Sequence, residues 1–351
     1  MIMVAAMAAV LWGTGMAMGA PHRARWIMIG LLLVAVMFVQ VVLPDGHPLR
    51  EATGGDARLW ALVLAAAGFV WIYRQFLGAV KGRIAAHDAP DPAPAQKGSF
   101  SDTELNRYAR HIVLREVGGT GQKALKDAKV LVVGAGGLGS PVLQYLAAAG
   151  VGTIGVIDDD IVENANLQRQ VIHLDDRIGL PKVHSAAEAM RAQNPFVSVK
   201  AYHRRLDDSV APELFAEYDL VLDGSDNFDT RYLVNETCVA GGIPLIAAAL
   251  TQWEGQICVY DPANGAPCFA CIFPDRPEPA LVPSCAEAGV IGPLPGVIGS
   301  MMAVEAVKLI TGAGDVLRGR LMIYDALYAD TRTITAKRRP DCAVCGGSHL
   351  S

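Results

Sequence analysis

Residues 129–158 read KVLVVGAGGLGSPVLQYLAAAGVGTIGVID, and no other stretch of the chain leaves the backbone so little choice. Lys129–Val133 is a short, largely β-branched run that predicts a strand. Gly134, Gly136, Gly137 and Gly139 follow as a tight turn, the Ala-rich segment Pro141–Ala149 predicts a helix, and a second strand closes at Asp158. Strand, glycine turn, helix and strand in that order build a parallel sheet with crossover helices. The fold class expected is therefore α/β, a Rossmann-like domain with a mostly parallel sheet. Such glycines let backbone N–H groups approach a phosphate at the positive end of the helix, and Asp158 stands where a carboxylate accepts hydrogen bonds from ribose hydroxyls. On these residues alone the turn can also serve only helix–strand packing, and the nucleotide can be NAD as well as ATP.

The residues after Asp158 shift that balance. Asn166, Arg169 and Lys182 place an amide and two cations soon after the ribose position. Hydride transfer has no use for them, whereas phosphoryl or nucleotidyl transfer needs cations where charge gathers on non-bridging oxygens. YDLVLDGSDN, residues 218–227, predicts a buried strand ending in Asp223, Ser225, Asp226 and Asn227. Carboxylates at the C-terminal end of a parallel strand lie where open α/β sheets bind ligands, and one or two of them with phosphate oxygens suit Mg2+. No G-x-x-x-x-G-K-[ST] segment occurs, which excludes an ordinary P-loop.

Cys268-x-x-Cys271 and Cys342-x-x-Cys345 are the most specific local pattern. Two such pairs predict a closed tetrahedral Zn2+ site that ties the C-terminal segment to the loop after Tyr260 and contributes folding free energy rather than chemistry. Two disulfides are the competing reading, disfavoured by seven cysteines in a domain expected to meet cytosolic ATP. Cys238 and Cys258 lie in an apolar helix and strand and are expected to be inert. Cys285, in a Gly/Pro-rich loop, is the candidate reactive thiol.

Ahead of this domain the composition changes. Mean hydropathy is +0.30, and the excess is concentrated in three apolar runs, about 1–20, 26–43 and 59–80. Each is near the ~20 residues that cross a hydrocarbon core. Residues 1–83 are therefore expected to form a transmembrane region of two or three helices, the first run being the weakest. Residues 84–100, rich in Ala and Pro, are expected to act as a tether, and 101–351 to form the folded domain. Ser101 and Glu104 have capping-box spacing for a helix that carries Arg107 and Arg110. A net charge of −5 gives no sign of a nucleic-acid partner.

Taken together, RYARHIVL, GAGGLGS, DDDIVENANLQRQ, GLPKV, LDGSDN, EGQI, CAEAGV and the paired cysteines resemble the HesA/MoeB/ThiF adenylyltransferases, relatives of the ubiquitin-activating enzymes, and most closely their molybdopterin-synthase branch. The resemblance spans about Leu105 to Gly346. It implies ATP-dependent adenylylation of the C-terminal Gly-Gly carboxylate of a small ubiquitin-like sulfur-carrier protein. By position, Gly137 is implied to lie against the phosphates, Asp158 to bind ribose, Asn166, Arg169 and Lys182 to bind the triphosphate, and Asp226 to hold Mg2+ with Asn227 beside it. Arg110 matches an arginine that reaches into the neighbouring protomer, which implies a homodimer. For Cys285 the implied role is a covalent link to the carrier during sulfur transfer.

The absence of a rhodanese-like segment after the last cysteine pair leads us to expect a separate sulfur donor. A molybdopterin-type carrier is the first expectation and a thiamin-pathway carrier the second. A membrane-tethered NAD-binding oxidoreductase or sensor is the reading from another class, and it leaves Arg169, Lys182 and Asp226 unused. Arg23 and Arg25 between the first two runs, and Arg74, Lys81 and Arg83 around the end of the third, place those segments inside by the positive-inside rule. The expected location is the inner (cytoplasmic) membrane with the catalytic domain in the cytoplasm.

Overall fold

The computed structural model describes residues 2–18, 22–54, 56, 58–62, 65, 68–70, 72–74, 100–276 and 288–346. Cys285, much of the third apolar run and the expected tether up to residue 99 lie outside the described residues. The chain divides into two compact units, Met1–Ala89 and Pro90–Ser351.

In the first unit, α1 (Ile2–Ala17) is followed by α2 (His22–Val42) and the short α3 (Pro48–Thr53). Their contact is small and specific. Val4, Val36 and Trp60 form the buried cluster, the Arg25 guanidinium lies 5.6 Å from the centre of the Trp12 ring, and Gln40 Nε2 donates to Arg50 O at 3.0 Å and to Thr53 Oγ1 at 2.9 Å. Ala24–Val42 is long and apolar enough to cross a membrane and only 11% buried, while the apolar stretch of α1, Met3–Ala17, is shorter than such a span. Trp26, Leu31, Val34, Phe38 and Val41 all point outward.

The second unit is built on one eight-stranded sheet of order β3-β2-β1-β4-β5-β6-β7-β8. Its strands are β1 (Lys129–Val133), β2 (Thr153–Ile157), β3 (Ser198–Tyr202), β4 (Leu220–Asp223), β5 (Leu245–Leu250), β6 (Glu254–Tyr260), β7 (Arg320–Asp325) and β8 (Asp330–Thr335). The first five pair in parallel and the last three run antiparallel. The apolar run of β1 is explained by burial on both faces: Val130 and Val132 face one core, Leu131 and Val133 the other.

Around the sheet lie α4 (Asp102–Ile112), α5 (Gly118–Asp127), α6 (Gly139–Ala149), α7 (Lys182–Gln193), α8 (Ala211–Phe215), α9 (Phe228–Gly241), α10 (Phe269–Ile272) and α11 (Pro293–Thr311). The start of α4 is a capping box, with Ser101 Oγ accepting from Glu104 N and Glu104 Oε2 accepting from Ser101 N. The apolar helix α11 also has the length and hydropathy of a membrane span, yet it packs on α6, β5 and β6 with Leu294, Ile298, Met302 and Ala306 buried. It is a core helix, and its N-terminal end is brought to the glycine turn. At the edge opposite β3, β7 and β8 extend the sheet as an antiparallel pair whose last strand is exposed along its length.

The turn between β1 and α6 is tight enough to test. A Cβ added at Gly139 would stand 1.9 Å from the Gly134 carbonyl oxygen, and backbone cannot yield as a side-chain tip does. Gly139→Ala is expected to lower stability by about 3 kcal/mol, the upper range for overpacking; an unchanged melting temperature would contradict the packing described.

Candidate active site

Four segments far apart in sequence meet at the glycine turn through a closed circuit of hydrogen bonds. Gly134 has φ +93°, which lets the chain leave β1 sharply. The next residue is held through both of its backbone polar groups. Ala135 N donates to Asp158 Oδ2 at 2.8 Å, and Ala135 O meets His173 Nε2 at 2.9 Å. The other oxygen of Asp158 accepts from Asp160 N at 2.8 Å, Asp160 Oδ2 accepts from Lys182 Nζ at 2.7 Å, and Lys182 N donates to Asp160 O at 2.9 Å. Lys182 begins α7. One turn further along that helix Ser185 Oγ lies 2.9 Å from His173 Nδ1, which closes the circuit.

The ionisation of these groups follows from their surroundings. Burial pushes the Asp158 carboxyl up from its ordinary value, against the Lys182 ammonium and two N–H donors that favour the anion. Burial pushes His173 down, the bond to Ala135 opposes that, and the charges of Lys182 and Arg177 add to it. A carbonyl oxygen can only accept, so Nε2 of the neutral imidazole carries the hydrogen and Nδ1 accepts from the Ser185 hydroxyl.

The cationic stretch lies against the same turn. A Cβ at Gly137 would be 3.7 Å from Arg169 Cγ and 3.0 Å from Pro295 Cβ on α11, so Arg169 and the start of α11 flank the glycine. Asn166 closes a 3-10 turn (Asn164–Asn166), and its Oδ1 accepts from Arg169 Nη2 at 3.2 Å. Gln170, adjacent in sequence, is buried with its Oε1 unpartnered, and its Nε2 would lie 3.7 Å from a Cβ at Gly136. Gly134, Gly136, Gly137, Asp158, Asn166, Arg169 and Lys182 are thus brought together around the turn. Gly139 serves the packing of the turn itself.

At the C-terminal end of β4 the acidic loop divides into a buried and an exposed part. Asp223 is 1% exposed; its Oδ1 accepts from Ser225 N at 2.8 Å, and burial pushes its carboxyl up against the nearby Arg231 guanidinium. Arg231, itself buried, donates to Ser225 O at 2.6 Å. Asp226 is exposed and, among the described residues, has no hydrogen-bond or ion-pair partner, so its carboxylate is available to a cation. Asn227, beside it, is the N-cap of α9, with Oδ1 accepting from Thr230 N at 2.9 Å. The loop borders the glycine turn, since a Cβ at Gly224 would touch Leu138 Cβ at 3.2 Å.

Arg110 stands elsewhere. It is exposed on α4, two residues after Tyr108, whose ring abuts Gly150 at the C-terminal end of α6. The glycine turn lies at the other end of α6, about 16 Å away for eleven residues of helix. The structure does not bring Arg110 to its own chain's turn.

The four paired cysteines converge as expected. Cys268 Sγ lies 3.8 Å from Cys271 Sγ and 3.6 Å from Cys342 Sγ, and Cys271 Sγ lies 3.3 Å from Cys345 Sγ. All four are buried. These separations are far beyond an S–S bond and close to the edge of about 3.8 Å that Zn–S bonds give a tetrahedron. Burial pushes the Cys342 thiol up, but the backbone N–H groups of Cys345 and Val344 and the neighbouring thiols outweigh it and bring Cys342 to about 7, which favours a thiolate ligand. Cys238 and Cys258 are buried, and burial pushes both thiols up, Cys258 to about 12; the inert reading holds.

Sequence reasoning passed over His173, Asp160, Gln170 and Arg231. The buried His173 makes one consequence measurable. Above pH ~6.5 the imidazole is neutral folded or unfolded; below it the unfolded chain binds a proton that the folded chain refuses, so stability is lost progressively as pH falls towards the folded value. The melting temperature is expected to drop more between about pH 7.5 and 5.5 in the wild type than in His173→Gln. An equal drop would contradict a neutral buried imidazole.

Known proteins resemble the unit that carries this arrangement. The ThiF family profile matches residues 108–344. The SAMP-activating enzyme E1 of Haloferax volcanii is 50% identical over 248 residues, covering 71% of this chain and 91% of its own. The sulfur carrier protein adenylyltransferase of Thermus thermophilus is 51% identical over 251 residues, 70% of this chain and 93% of its own. Among solved structures, E. coli MccB with ATP superposes with a TM-score of 0.60 at 26% identity, over 72% of this chain and 77% of that one. The family match opens just before Arg110 and closes just before Cys345, so it takes in the whole glycine turn, the cationic stretch and the acidic loop: the chain belongs to the ThiF family.

Proposed function

We propose that this chain uses ATP to adenylylate the C-terminal Gly-Gly carboxylate of a ubiquitin-like sulfur-carrier protein, of the molybdopterin-synthase type before the thiamin type. The observation that carries the reading is the gathering of Arg169, Asn166 and Lys182 around a glycine turn clamped by Asp158. A hydride-transfer site would leave these cations without a task. The relatives named as a sulfur carrier protein adenylyltransferase and a SAMP-activating enzyme E1 support it, as does the likeness to MccB solved with ATP.

In this reading the ribose lies by Asp158 and the phosphates lie over Gly136 and Gly137. Asp158 Oδ atoms already accept from Ala135 and Asp160, and their remaining lone pairs suit ribose hydroxyls. The carrier carboxylate is ionised at neutral pH and needs no general base. It attacks the α-phosphorus in line; the new bond joins carboxylate oxygen to phosphorus, the α–β bridging P–O bond breaks, and pyrophosphate leaves with that electron pair. Arg169, Asn166 and Lys182 stabilise charge on the non-bridging oxygens, and Lys182 leaves Asp160 to do so. Holding carboxylate and phosphate in line in a site lined by fixed donors supplies most of the acceleration. The exposed carboxylate of Asp226 fits Mg2+, which would neutralise phosphate charge when bound. The cluster of Cys268, Cys271, Cys342 and Cys345 fits a structural Zn2+.

Because Arg110 lies at the far end of α6 from its own turn, we assign it to the site of a second protomer in a homodimer. The outward-facing apolar side chains of α2 support insertion of the first unit in the inner membrane, with the catalytic unit on the cytoplasmic side, where ATP and carrier are found. Residues 1–83, 84–100 and 101–351 then serve as membrane region, tether and enzyme. For Cys285 the proposed role is a transient thioester to the activated carrier: its thiolate attacks the acyl carbon of the acyl-adenylate, the acyl–O bond to AMP breaks, and AMP leaves with that electron pair.

The full chain in detergent is expected to catalyse ATP–pyrophosphate exchange only with a Gly-Gly carrier present, and Asp226→Ala or Arg169→Ala to reduce the rate at least ~100-fold. Full exchange in both variants would contradict the site. Mixing inactive Arg110→Ala with inactive Asp226→Ala chains is expected to restore part of the activity, since one site of the mixed dimer is intact; no recovery after demonstrated subunit exchange would rule out sharing. About one zinc per chain is expected on elemental analysis, lost with folded stability in Cys268→Ser, and a metal-free, equally stable variant would overturn the zinc assignment.

A further inference from the structure

We propose that His173 is a positioning residue that holds the three phosphate-facing segments in register, a role that rests on the adenylylation reading only for what the segments bind. Two of the three are tied to its imidazole and the third to its backbone. Nε2–H donates to Ala135 O and fixes the plane of the peptide that leads into Gly136 and Gly137. Nδ1 accepts from Ser185 on α7, the helix whose first residue is Lys182. The His173 backbone N donates to Gln170 O at 3.1 Å, and Gln170 N donates to Asn166 O at 2.9 Å, which ties in the stretch carrying Arg169.

His173 is 5% exposed, and both of its ring nitrogens are engaged by protein atoms. It acts through other groups rather than on substrate. Three features make the link directional rather than generic packing. Both ring nitrogens are used, their roles are fixed by the carbonyl that one of them faces, and Ala135 is held from its opposite side by Asp158. Removing the Nε2 donor leaves Ala135 O buried without its partner and the peptide free to rotate. Removing the Nδ1 acceptor loosens α7 but leaves the turn in place.

Two substitutions separate these bonds. Gln places an amide N–H near the position of Nε2, and Asn places an amide oxygen near that of Nδ1, so His173→Gln keeps the bond to Ala135 and His173→Asn keeps the bond to Ser185. Two readouts on the nucleotide-free and the working full chain decide the matter. In His173→Asn, hydrogen–deuterium exchange of the amides in 134–140 is expected to accelerate about tenfold, the loss of one hydrogen bond, and KM for ATP to rise by a similar factor with kcat nearly unchanged. His173→Gln is expected to resemble the wild type in both.

Equal behaviour of the Asn and Gln variants, whether both are silent or both shift alike, would overturn the proposal, since a merely structural histidine distinguishes neither. The exchange experiment needs no substrate. If the wild type fails to adenylylate any Gly-Gly carrier while the Asn variant alone loosens 134–140, the adenylylation reading fails and the role of His173 stands.

Discussion

The catalytic unit is organised around the hydrogen bond from Ala135 N to the Asp158 carboxylate. That bond joins the end of β2 to the turn after β1, two strands already paired in register from Lys129 to Val133. With Ala135 O bound to His173, the two successive peptide groups that flank the Ala135 Cα are both fixed, one by Asp158 and one by His173. Preorganised donors lose little to reorientation when charge develops. Burial works against the Asp158 anion, and the Lys182 ammonium together with two N–H donors works for it. The strand end is therefore an electrostatic compromise between burial and its charged and N–H partners.

Both cations of the turn have protein partners. Lys182 is almost fully buried and bound to Asp160, whose side chain is 67% exposed; Arg169 rests on Asn166 and on Ala165 O at 3.3 Å. The ion pair of Lys182 with the exposed Asp160 carboxylate is weak because water screens it. The antiparallel strands β6, β7 and β8 extend the sheet beyond β5, and the cysteine cluster joins the C-terminal segment to α10.

The sequence made the frame legible because its signals are local. The β-branched run, the glycines and the Ala-rich segment of 129–149 each determine their own backbone, and Ser101 with Glu104 forms the capping box that their spacing announces. The cysteine pairs were legible for another reason, that four soft ligands in two knuckles have few other uses. His173 and Asp160 were not legible, because their partners, Ala135 and Lys182, are remote in sequence and join only when α7 docks. Asn227 shows the limit of a positional argument, since a side chain beside an acidic loop turns out to cap a helix. Hydropathy was ambiguous in the same way: α11 passes the test for a membrane span and is a core helix, whereas α2 passes it and displays its apolar face. The difference lies in what each helix packs against.

In the proposed reaction the glycine turn and its cations activate a carboxylate by transferring AMP to it. The most direct measurement is the intact mass of a Gly-Gly carrier after incubation with the full chain, Mg2+, ATP and pyrophosphatase. The predicted result is a gain of one AMP on the terminal carboxylate, reversed by added pyrophosphate once pyrophosphatase is removed, and absent from a carrier lacking its last glycine. Unmodified carrier in the presence of bound ATP, or equal modification of the truncated carrier, would contradict it.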